Sequence, residues 1–199
     1  LRDGHSAKLD YLEREGLLFL NNDGDYVGSG GFGYTRELPA ADFAGKVRPR
    51  DMWGFGESQE TAAISPAMFE EFVFQYQLPL LERFGLNCYG CCEPLDKRWH
   101  VVEKTPRLRR VSVSPWANLA DMADKLADRY IYSLKPSPSD LAMPQFDEER
   151  IRAGLRRAME LTRGCRLEVI MKDNHTIGND PTRVIRWVKI AREEAERAG

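Results

Sequence analysis

Three of the four cysteines lie within five positions, in the segment Cys88–Glu93, which reads Cys-Tyr-Gly-Cys-Cys-Glu. Thiolates and a carboxylate can ligate zinc, and a catalytic zinc needs only three protein ligands and one open position. A single C-x-x-C pair is a weak signal, because a structural zinc site needs a second pair, which the chain lacks. A thioredoxin-like redox role requires surroundings that differ from these. Spacing alone favours small buried residues at a strand end over a metal site and leaves both open.

A second polar segment, Asp173–Asn179, places His175 among small polar residues directly after a predicted strand. A histidine in such a loop can bind a carboxylate, ligate a metal or relay a proton. It can equally be a loop residue hydrogen-bonded to the backbone, and the sequence leaves the two open. Trp116 also lies in a loop after a strand, where its ring could line a pocket. Trp53 could do the same, although tryptophans more often plug the bottom of a sheet.

The segment Gly28–Gly33 formally matches the dinucleotide-binding pattern G-x-G-x-x-G. That pattern must open a helix, whereas here the chain runs straight into Pro39. A kinase glycine loop is excluded as well, because no H-R-D or D-F-G motif follows. We therefore predict a flexible loop, preceded by a hairpin in which Leu17–Leu20 and Tyr26–Val27 flank a turn at Asp23-Gly24.

Composition narrows the class of protein. The 199 residues carry 29 Lys+Arg against 31 Asp+Glu, a net charge of −2, so bulk charge does not favour nucleic acid as a partner. No apolar stretch approaches 18 residues, which excludes a transmembrane helix and a membrane partner. Clustered cysteines without a disulfide-like framework predict a reducing compartment, with the cytoplasm as the default.

From Ser65 onward the hydropathy pattern alternates between strand and helix. The predicted strands are Leu86–Tyr89, the segment around Val111–Val113, Tyr130–Leu134 and Leu167–Met171. Helices are predicted to begin at Ser65–Pro66, about Leu95, Asn118, Asp147 and Pro181–Thr182, and Pro79 should kink or restart the first. On the last helix, the residues predicted to face inward are Val184, Ile185, Val188 and Ala191.

Four strand–helix units with short links predict a parallel sheet with right-handed crossovers. In such sheets the chemistry lies at the carboxyl ends of the strands. The corresponding loops here are Tyr89–Leu95, Ser114–Asn118, Lys135–Ser139 and Lys172–Asp180. They are also the most unusual segments of the chain, which makes this edge of the sheet the predicted site.

The order of several motifs resembles the uroporphyrinogen decarboxylase superfamily, over roughly residues 50 to 198. The motifs are Asp51-Met52-Trp53-Gly54, Ser65–Phe72 leading to Leu78–Leu81, the cysteine segment, Val111–Trp116 and Asn174–Ile177 with Asp180-Pro181. The superfamily includes the decarboxylase, cobalamin-dependent methyltransferases and cobalamin-independent methionine synthase, and its fold is a (β/α)8 barrel. The resemblance thus implies an α/β fold containing the C-terminal half of such a barrel.

The resemblance implies two sets of site residues. In the zinc methyltransferases one strand ends in His-x-Cys and a later strand supplies another cysteine; here Cys91 matches the first thiolate, Tyr89 replaces the histidine and His175 replaces the last cysteine. A mixed zinc set of Cys91, Glu93 and His175 is therefore expected. In the decarboxylase a histidine at the last strand contacts the tetrapyrrole carboxylates, and His175-Thr176-Ile177 matches that turn. The decarboxylase's arginines and aspartate in the first strands have no counterpart here.

Three functions follow as expectations. The clustered cysteines favour methyl transfer to or from a thiol or corrinoid, because zinc holds a thiol acceptor as the nucleophilic thiolate. The second is decarboxylation of a carboxylated tetrapyrrole, which needs cationic groups and a proton donor. The third is a non-catalytic scaffold. The residues expected to bind substrate are His175, Trp116, Trp53 and Tyr89; no catalytic residue is assigned, and a corrinoid protein is an expected partner.

Chain length sets the expected architecture. A (β/α)8 barrel typically needs about 250 residues, whereas this chain shows four strand–helix units in residues 65–199 after a glycine-rich lead-in of residues 1–64. We expect these residues, which start at Leu1, to be a fragment of a longer chain and to be inactive alone. A half-barrel leaves a sheet edge unsatisfied, so we expect a homo-oligomer through that edge or a cover from residues 1–50.

Overall fold

The computed structural model describes all 199 residues. The strands are β1 (Asp23–Val27), β2 (Gly31–Tyr34), β3 (Trp53–Gly56), β4 (Leu86–Tyr89), β5 (Leu108–Val113), β6 (Ile131–Leu134) and β7 (Arg166–Val169). The α-helices are α1 (Arg2–Arg14), α2 (Pro66–Phe69), α3 (Gln75–Leu81), α4 (Trp99–Val102), α5 (Leu119–Leu126), α6 (Ser139–Ala142), α7 (Glu148–Leu161) and α8 (Thr182–Ala198). Short 3-10 helices cover Pro49–Asp51, Gln59–Thr61 and Asp96–Arg98, and a π-helical turn at Glu70–Phe74 joins α2 to α3.

A five-stranded sheet, β3 to β7, forms the centre, and each strand pairs in parallel with the next along the chain. The α/β class and the parallel sheet alternating with helices are confirmed. The predicted number of strands is wrong, because β3 was assigned to a loop. Its sequence contains Gly54 and Gly56, which β-strands disfavour. Both glycines are needed here, since a Cβ would lie 2.4 Å from the Asn87 Oδ1 at the first and 2.9 Å from the Tyr89 ring at the second.

Helices cover one face of the sheet. Tyr89, Val111 and Tyr132 point to this face, and each is fully buried in a core of 18 residues. The core also takes aromatic and aliphatic side chains from the helices, such as Phe69 and Met122. Burial of this apolar surface holds the sheet and helices together, at about 25 cal/mol for each Å² removed from water.

The helix ends follow the predicted capping residues. The Ser65 Oγ accepts a hydrogen bond from the amide of Met68 at 3.2 Å, and Asn118 and Asp147 cap α5 and α7 in the same way. The helix continues through Pro79. The distortion lies about one turn earlier, in the π-helical turn, where a proline ring crowds the preceding backbone.

The β1–β2 hairpin covers the opposite face of the sheet. The Val27 carbonyl contacts the Cys88 Sγ at 3.9 Å, and the Ser29 Oγ lies 3.3 Å from the Ser112 Oγ. Val27 is part of a second, smaller core with Trp53 and Cys88. The two faces therefore differ in kind, because one packs against helices and the other against a hairpin.

The predicted hairpin is wrong in its position. Asp23 and Gly24 lie inside β1, which pairs with β2, and the turn is formed by Gly28, Ser29 and Gly30. These three residues have φ angles of 45°, 40° and 82°. Glycine adopts such angles without steric cost, so the glycine-rich segment is a hairpin turn and a strand rather than a flexible loop.

The predicted inward face of α8 is also wrong. The buried side chains are Arg183, Trp187, Ile190 and Glu194, whereas Val184, Ile185 and Val188 are exposed and Ala191 is half-buried. The charged members of the buried set are paired with polar groups. Arg183 donates to the carbonyls of Leu141, Met143 and Pro144, and Glu194 accepts from Arg152 and Arg156. Hydropathy alone assigns such side chains to the solvent face.

The sheet does not close on itself, and β3 and β7 are its two edge strands. The Asn21 side chain bonds both the amide and the carbonyl of Trp53, at 2.8 and 3.1 Å, and so blocks part of the β3 edge. No strand of this chain pairs with the outer edge of β7. None of the helices is both long and apolar enough to cross a lipid bilayer.

Candidate functional site

Ionisable side chains gather on the hairpin-covered face of the sheet, toward the carboxyl ends of its strands. The register sets Cys88 beside Arg110, and Ser112 beside Ser133, which in turn neighbours Glu168. The loops after β4, β6 and β7 add cysteines, lysines and an aspartate. We call the whole set the carboxyl-edge cluster: Cys88, Cys91, Cys92, Arg110, Ser112, Ser133, Lys135, Glu168, Lys172 and Asp173.

Lys135 directly follows β6 and is 2% exposed. Its amide donates to the Val113 carbonyl at 2.9 Å, which extends the pairing of β5 and β6 by one residue. Its Nζ donates to the Ser133 Oγ, and no carboxylate lies within ion-pair distance. Burial, reinforced by the positive charges of Arg110 and Lys172 and opposed by Glu168, lowers the pKa of Lys135 from 10.5 to about 8.

Arg110 and Glu168 form the ion pair of the covered face, with the Nε 2.8 Å from the Oε1. The Arg110 Nη2 also donates to the Phe32 carbonyl of the hairpin at 2.7 Å, and its guanidinium lies 5.3 Å from the Trp53 ring centroid. A buried guanidinium needs such partners, because an unpaired charge in the interior is costly. Because Glu168 is paired with Arg110, the buried Lys135 has no carboxylate within ion-pair distance.

Two loops that are distant in sequence meet at the cluster. The Cys91 and Cys92 Sγ atoms lie 3.6 Å apart, and the Lys172 Nζ is 3.3 and 3.1 Å from them. Asp173 completes the group, with its Oδ2 2.7 Å from the Lys172 Nζ and 2.9 Å from the Cys92 Sγ. An ammonium group, a carboxylate and two thiols therefore share one small volume.

Two thiols of the cluster, those of Cys88 and Cys92, have raised pKa values. Burial raises the pKa of Cys88 to about 11, against the opposing charge of Arg110. Burial and the hydrogen bond to Asp173 raise the pKa of Cys92 to about 12. Burial opposes the charged form of Lys172, but its hydrogen bonds to Asp173 and the two cysteines raise its pKa above the usual value. The cluster thus holds a firmly protonated amine at Lys172 and a readily deprotonated one at Lys135.

A groove opens beside the cluster, between the hairpin, β7 and α8. Its volume is about 820 Å³, which is within the range of small-molecule sites. Phe32 and Val188 are among the apolar side chains of its walls, and Arg110 and Glu168 line it as well. The exposed apolar side of α8 faces this groove. The groove therefore reaches the carboxyl-edge cluster at its ion pair.

The structure does not gather the expected zinc ligands. The Glu93 carboxylate is buried and accepts bonds from the amide and hydroxyl of Ser58, at 2.8 and 3.0 Å, and from the amide of Cys91. His175 is exposed and bonds to neither Cys91 nor Glu93. No group of three or more His, Cys, Asp and Glu side chains is placed to hold a metal ion. The geometry therefore does not fit zinc at these three residues.

The other expected substrate-binding residues are dispersed. Tyr89 lies on the helix-covered face, where its hydroxyl donates to the Gln77 Oε1 at 2.6 Å. Trp53 is buried between the hairpin and the sheet, as is common for a tryptophan at the bottom of a sheet. Trp116 is 65% exposed after β5, outside the groove, and His175 lies in the loop after β7. Of the expected residues, Cys91 alone belongs to the carboxyl-edge cluster.

Sequence reasoning missed the lysines of the cluster. Lys135 and Lys172 are the first residues of two of the four loops that were predicted to carry the chemistry. A lysine directly after an apolar strand is the signal that could have identified them. Lysine is almost never fully buried without a partner, and position after a strand places it at the edge where parallel sheets carry their sites.

The fold and the cluster together define an α/β protein with a parallel sheet and a charged, thiol-bearing carboxyl edge. Comparison of the chain with protein-family models, with curated proteins and with solved structures gave no match.

Proposed function

We propose that the protein is an enzyme of the α/β class whose carboxyl-edge cluster binds a carboxylated small molecule. The observation that carries this proposal is that three cationic groups, Arg110, Lys135 and Lys172, lie on the hairpin-covered face of the sheet, beside a groove that Arg110 lines. Net charge across the cluster favours an anion, because two carboxylates, Glu168 and Asp173, face three cations. Fixed charges in a site from which water is largely excluded are also the main source of catalytic stabilisation.

Within the superfamily that the sequence resembles, this arrangement favours a decarboxylase-like reaction on a carboxylated tetrapyrrole. The fold proposal that goes with it is the C-terminal half of a (β/α)8 barrel. Decarboxylation needs cations to hold substrate carboxylates and an acid to protonate the carbanion. Lys172 suits the first task, because its raised pKa keeps it charged at neutral pH. The ammonium of Lys135 suits the second, because its lowered pKa makes it a better proton donor.

Binding of uroporphyrin, a tetrapyrrole with carboxylate side chains, tests this function by fluorescence titration. We expect Lys172→Met to weaken binding about tenfold or more. Lys97→Met is the matched control, because Lys97 is an exposed lysine outside the cluster. Binding that is equal in the wild type, Lys172→Met and Lys97→Met would refute the proposed site. Weaker uroporphyrin binding by His175→Ala would show that the loop after β7 contributes to the site.

Methyl transfer involving a thiol is the second candidate function, and the contact between Cys91 and Cys92 favours it. A corrinoid protein as partner goes with this proposal, whereas Cys91, Glu93 and His175 are not placed to hold the zinc that the sequence led us to expect. Metal analysis of the purified protein and of Cys91→Ser tests the zinc. Stoichiometric zinc that the substitution abolishes would support methyl transfer. Zinc that is unaffected by Cys91→Ser, or no zinc, would count against it.

The protein is proposed to form a homo-oligomer in a reducing compartment. The free outer edge of β7 suits pairing with a second copy of the chain, because an edge strand exposes unpaired backbone groups. All four cysteines are free, which suits a reducing compartment such as the cytoplasm. A protein that binds neither uroporphyrin nor zinc nor a corrinoid would match the scaffold alternative.

A further inference from the structure

Lys135 differs from the other seven lysines of the chain in its surroundings. It is 2% exposed, forms no ion pair and follows a central strand of a parallel sheet at the end where sites are found. Retaining an unpaired ammonium in the interior destabilises the fold, since desolvation of the charge is not offset by a carboxylate. A residue kept at such a cost is a candidate for chemistry rather than for packing.

The charged neighbours of Lys135 come from three strands. Arg110 on β5 is bonded to Glu168 on β7, Lys172 follows β7, and Cys88 lies on β4. Desolvation and adjacent cations are the two ways in which proteins convert a lysine into a neutral amine nucleophile. Burial is the largest cause of the lowered pKa of Lys135, and the two cations add to it.

We propose that Lys135 is an amine nucleophile that forms an imine with a small 2-oxo acid. The Nζ attacks the carbonyl carbon, and a C=N bond replaces the C=O bond. The two amine hydrogens leave with the carbonyl oxygen as one water molecule. The hydroxyl of Ser133, which is hydrogen-bonded to the Nζ, is placed to pass a proton during loss of water.

We expect the carbonyl compound to carry a carboxylate, because the positive charge of Lys172 acts on Lys135 and would attract an anion. This part of the inference rests on the proposed carboxylate-binding function, whereas the covalent step does not. The groove brings the compound as far as Arg110 and Glu168, which line it. Lys135 and Lys172 lie behind this ion pair and do not line the groove, so the compound reaches Lys135 only past the pair. The hairpin turn lies close to the end of β6, which Lys135 follows. A Cβ on Gly30 of the turn would be 3.0 Å from the Ile170 side chain. The Ile170 amide in turn donates to the carbonyl of Leu134, the residue before Lys135.

Reductive trapping tests the imine. The full chain is incubated with pyruvate and sodium cyanoborohydride at pH 7.5, and the adducts are located by peptide mass spectrometry. We expect occupancy at Lys135 at least ten times the mean occupancy of the exposed lysines. Lys135→Arg retains a cation and cannot form an imine under these conditions, so it should lose this adduct. Labelling of Lys135 at or below the level of the exposed lysines would overturn the proposal.

Two further arms separate this proposal from the proposed function. Lys172→Met should lower trapping of pyruvate at Lys135 at least fivefold more than trapping of acetaldehyde, which has no carboxylate and responds only to the change in the Lys135 pKa. Equal loss with both compounds would overturn the assignment to oxo acids. Uroporphyrin binding that depends on Lys172, in the absence of any adduct at Lys135, would retain the carboxylate site and refute the imine.

Discussion

The ammonium group of Lys172 lies 3.1 Å from the Cys92 Sγ, although 80 positions separate the two residues. Cys92 follows β4 and Lys172 follows β7, and two strands lie between them in the sheet. In a flat sheet, strands three positions apart are separated by roughly 14 Å. The loops that follow the two strands, and the long Lys172 side chain, bridge this separation on the hairpin-covered face. These loops bring the thiols and the ammonium group of the carboxyl-edge cluster together.

The buried charge of Lys135 predicts a stability effect that depends on pH. A pKa lowered from 10.5 to about 8 means that, between these values, the unfolded chain binds a proton that the folded chain lacks. Stability from this group therefore rises as the pH rises from 8 to 10.5. Below pH 8 the buried charge costs on the order of 3 kcal/mol.

We accordingly expect Lys135→Met to raise the free energy of unfolding at pH 7 by roughly 1–3 kcal/mol. The gain should shrink at pH 10. Urea unfolding of the wild type and of Lys135→Met at pH 7 and pH 10 measures this gain. The difference between the two proteins at each pH removes the contribution of the cysteines, which both proteins share. Destabilisation by the methionine at pH 7, or a gain that does not change with pH, would contradict the assigned environment.

The thiol of Cys92 should respond in opposite directions to changes at its two charged neighbours. Burial is the largest cause of its raised pKa, Asp173 raises the pKa further, and Lys172 lowers it. Asp173→Asn should therefore speed alkylation of Cys92 by iodoacetamide at pH 8.5, by roughly threefold to tenfold, and Lys172→Met should slow it. Peptide mass spectrometry follows Cys92 apart from Cys91. Equal rates in all three proteins would show that neither neighbour contacts the thiol in solution.

Packing within the hairpin is tested at Gly33. A Cβ at this position would lie 2.1 Å from the Asn21 carbonyl oxygen, which is backbone and cannot rotate away. We expect Gly33→Ala to lower the free energy of unfolding by about 2 kcal/mol or more. Gly154→Ala is the matched control, because nothing lies within 4 Å of its Cβ in α7. That change should stabilise the protein by roughly 0.5–1 kcal/mol, and equal effects at both sites would contradict the close packing of Gly33 against Asn21.

Acid should weaken the contact between α7 and α8. Hydrogen bonds from Arg156 and Arg152 lower the pKa of Glu194 from 4.5 to about 2. Its contribution to stability is therefore fully present above pH 4.5 and is lost as the pH falls toward 2. Glu194→Gln should lower the urea midpoint at pH 7, and the difference from the wild type should shrink toward pH 2. Glu196→Gln, at an exposed position, is the control. A difference that persists unchanged at pH 2 would refute the role of the ion pairs.

The regular elements could be predicted because local signals determined them. Leu86–Tyr89 is a short, mostly apolar segment between Gly85 and Gly90, and it forms β4 as predicted. Asn118 and Asp147 mark helix starts, because their side chains satisfy free backbone amides. Trp53–Gly56 could not be predicted in this way. Its glycines are required by Asn87 and Tyr89 of the neighbouring strand, a contact that no local pattern contains.

Strand–helix alternation predicted a site at the carboxyl ends of the strands, and the charged side chains of Lys135 and Lys172 lie there. The members of this cluster could not be predicted. The cysteine segment favoured a zinc site, but the Glu93 carboxylate accepts a hydrogen bond from Ser58 and His175 is exposed. The importance of Lys135 depends on burial and on Arg110, Glu168 and Lys172, which come together only through the register of the strands and the loops that follow them.

Fluorescence titration with uroporphyrin tests most directly whether the carboxyl-edge cluster binds a carboxylated small molecule. We expect saturable binding to the wild type and to Lys97→Met, and binding at least tenfold weaker in Lys172→Met. Identical affinities for all three proteins, or no saturable binding by the wild type, would contradict this expectation.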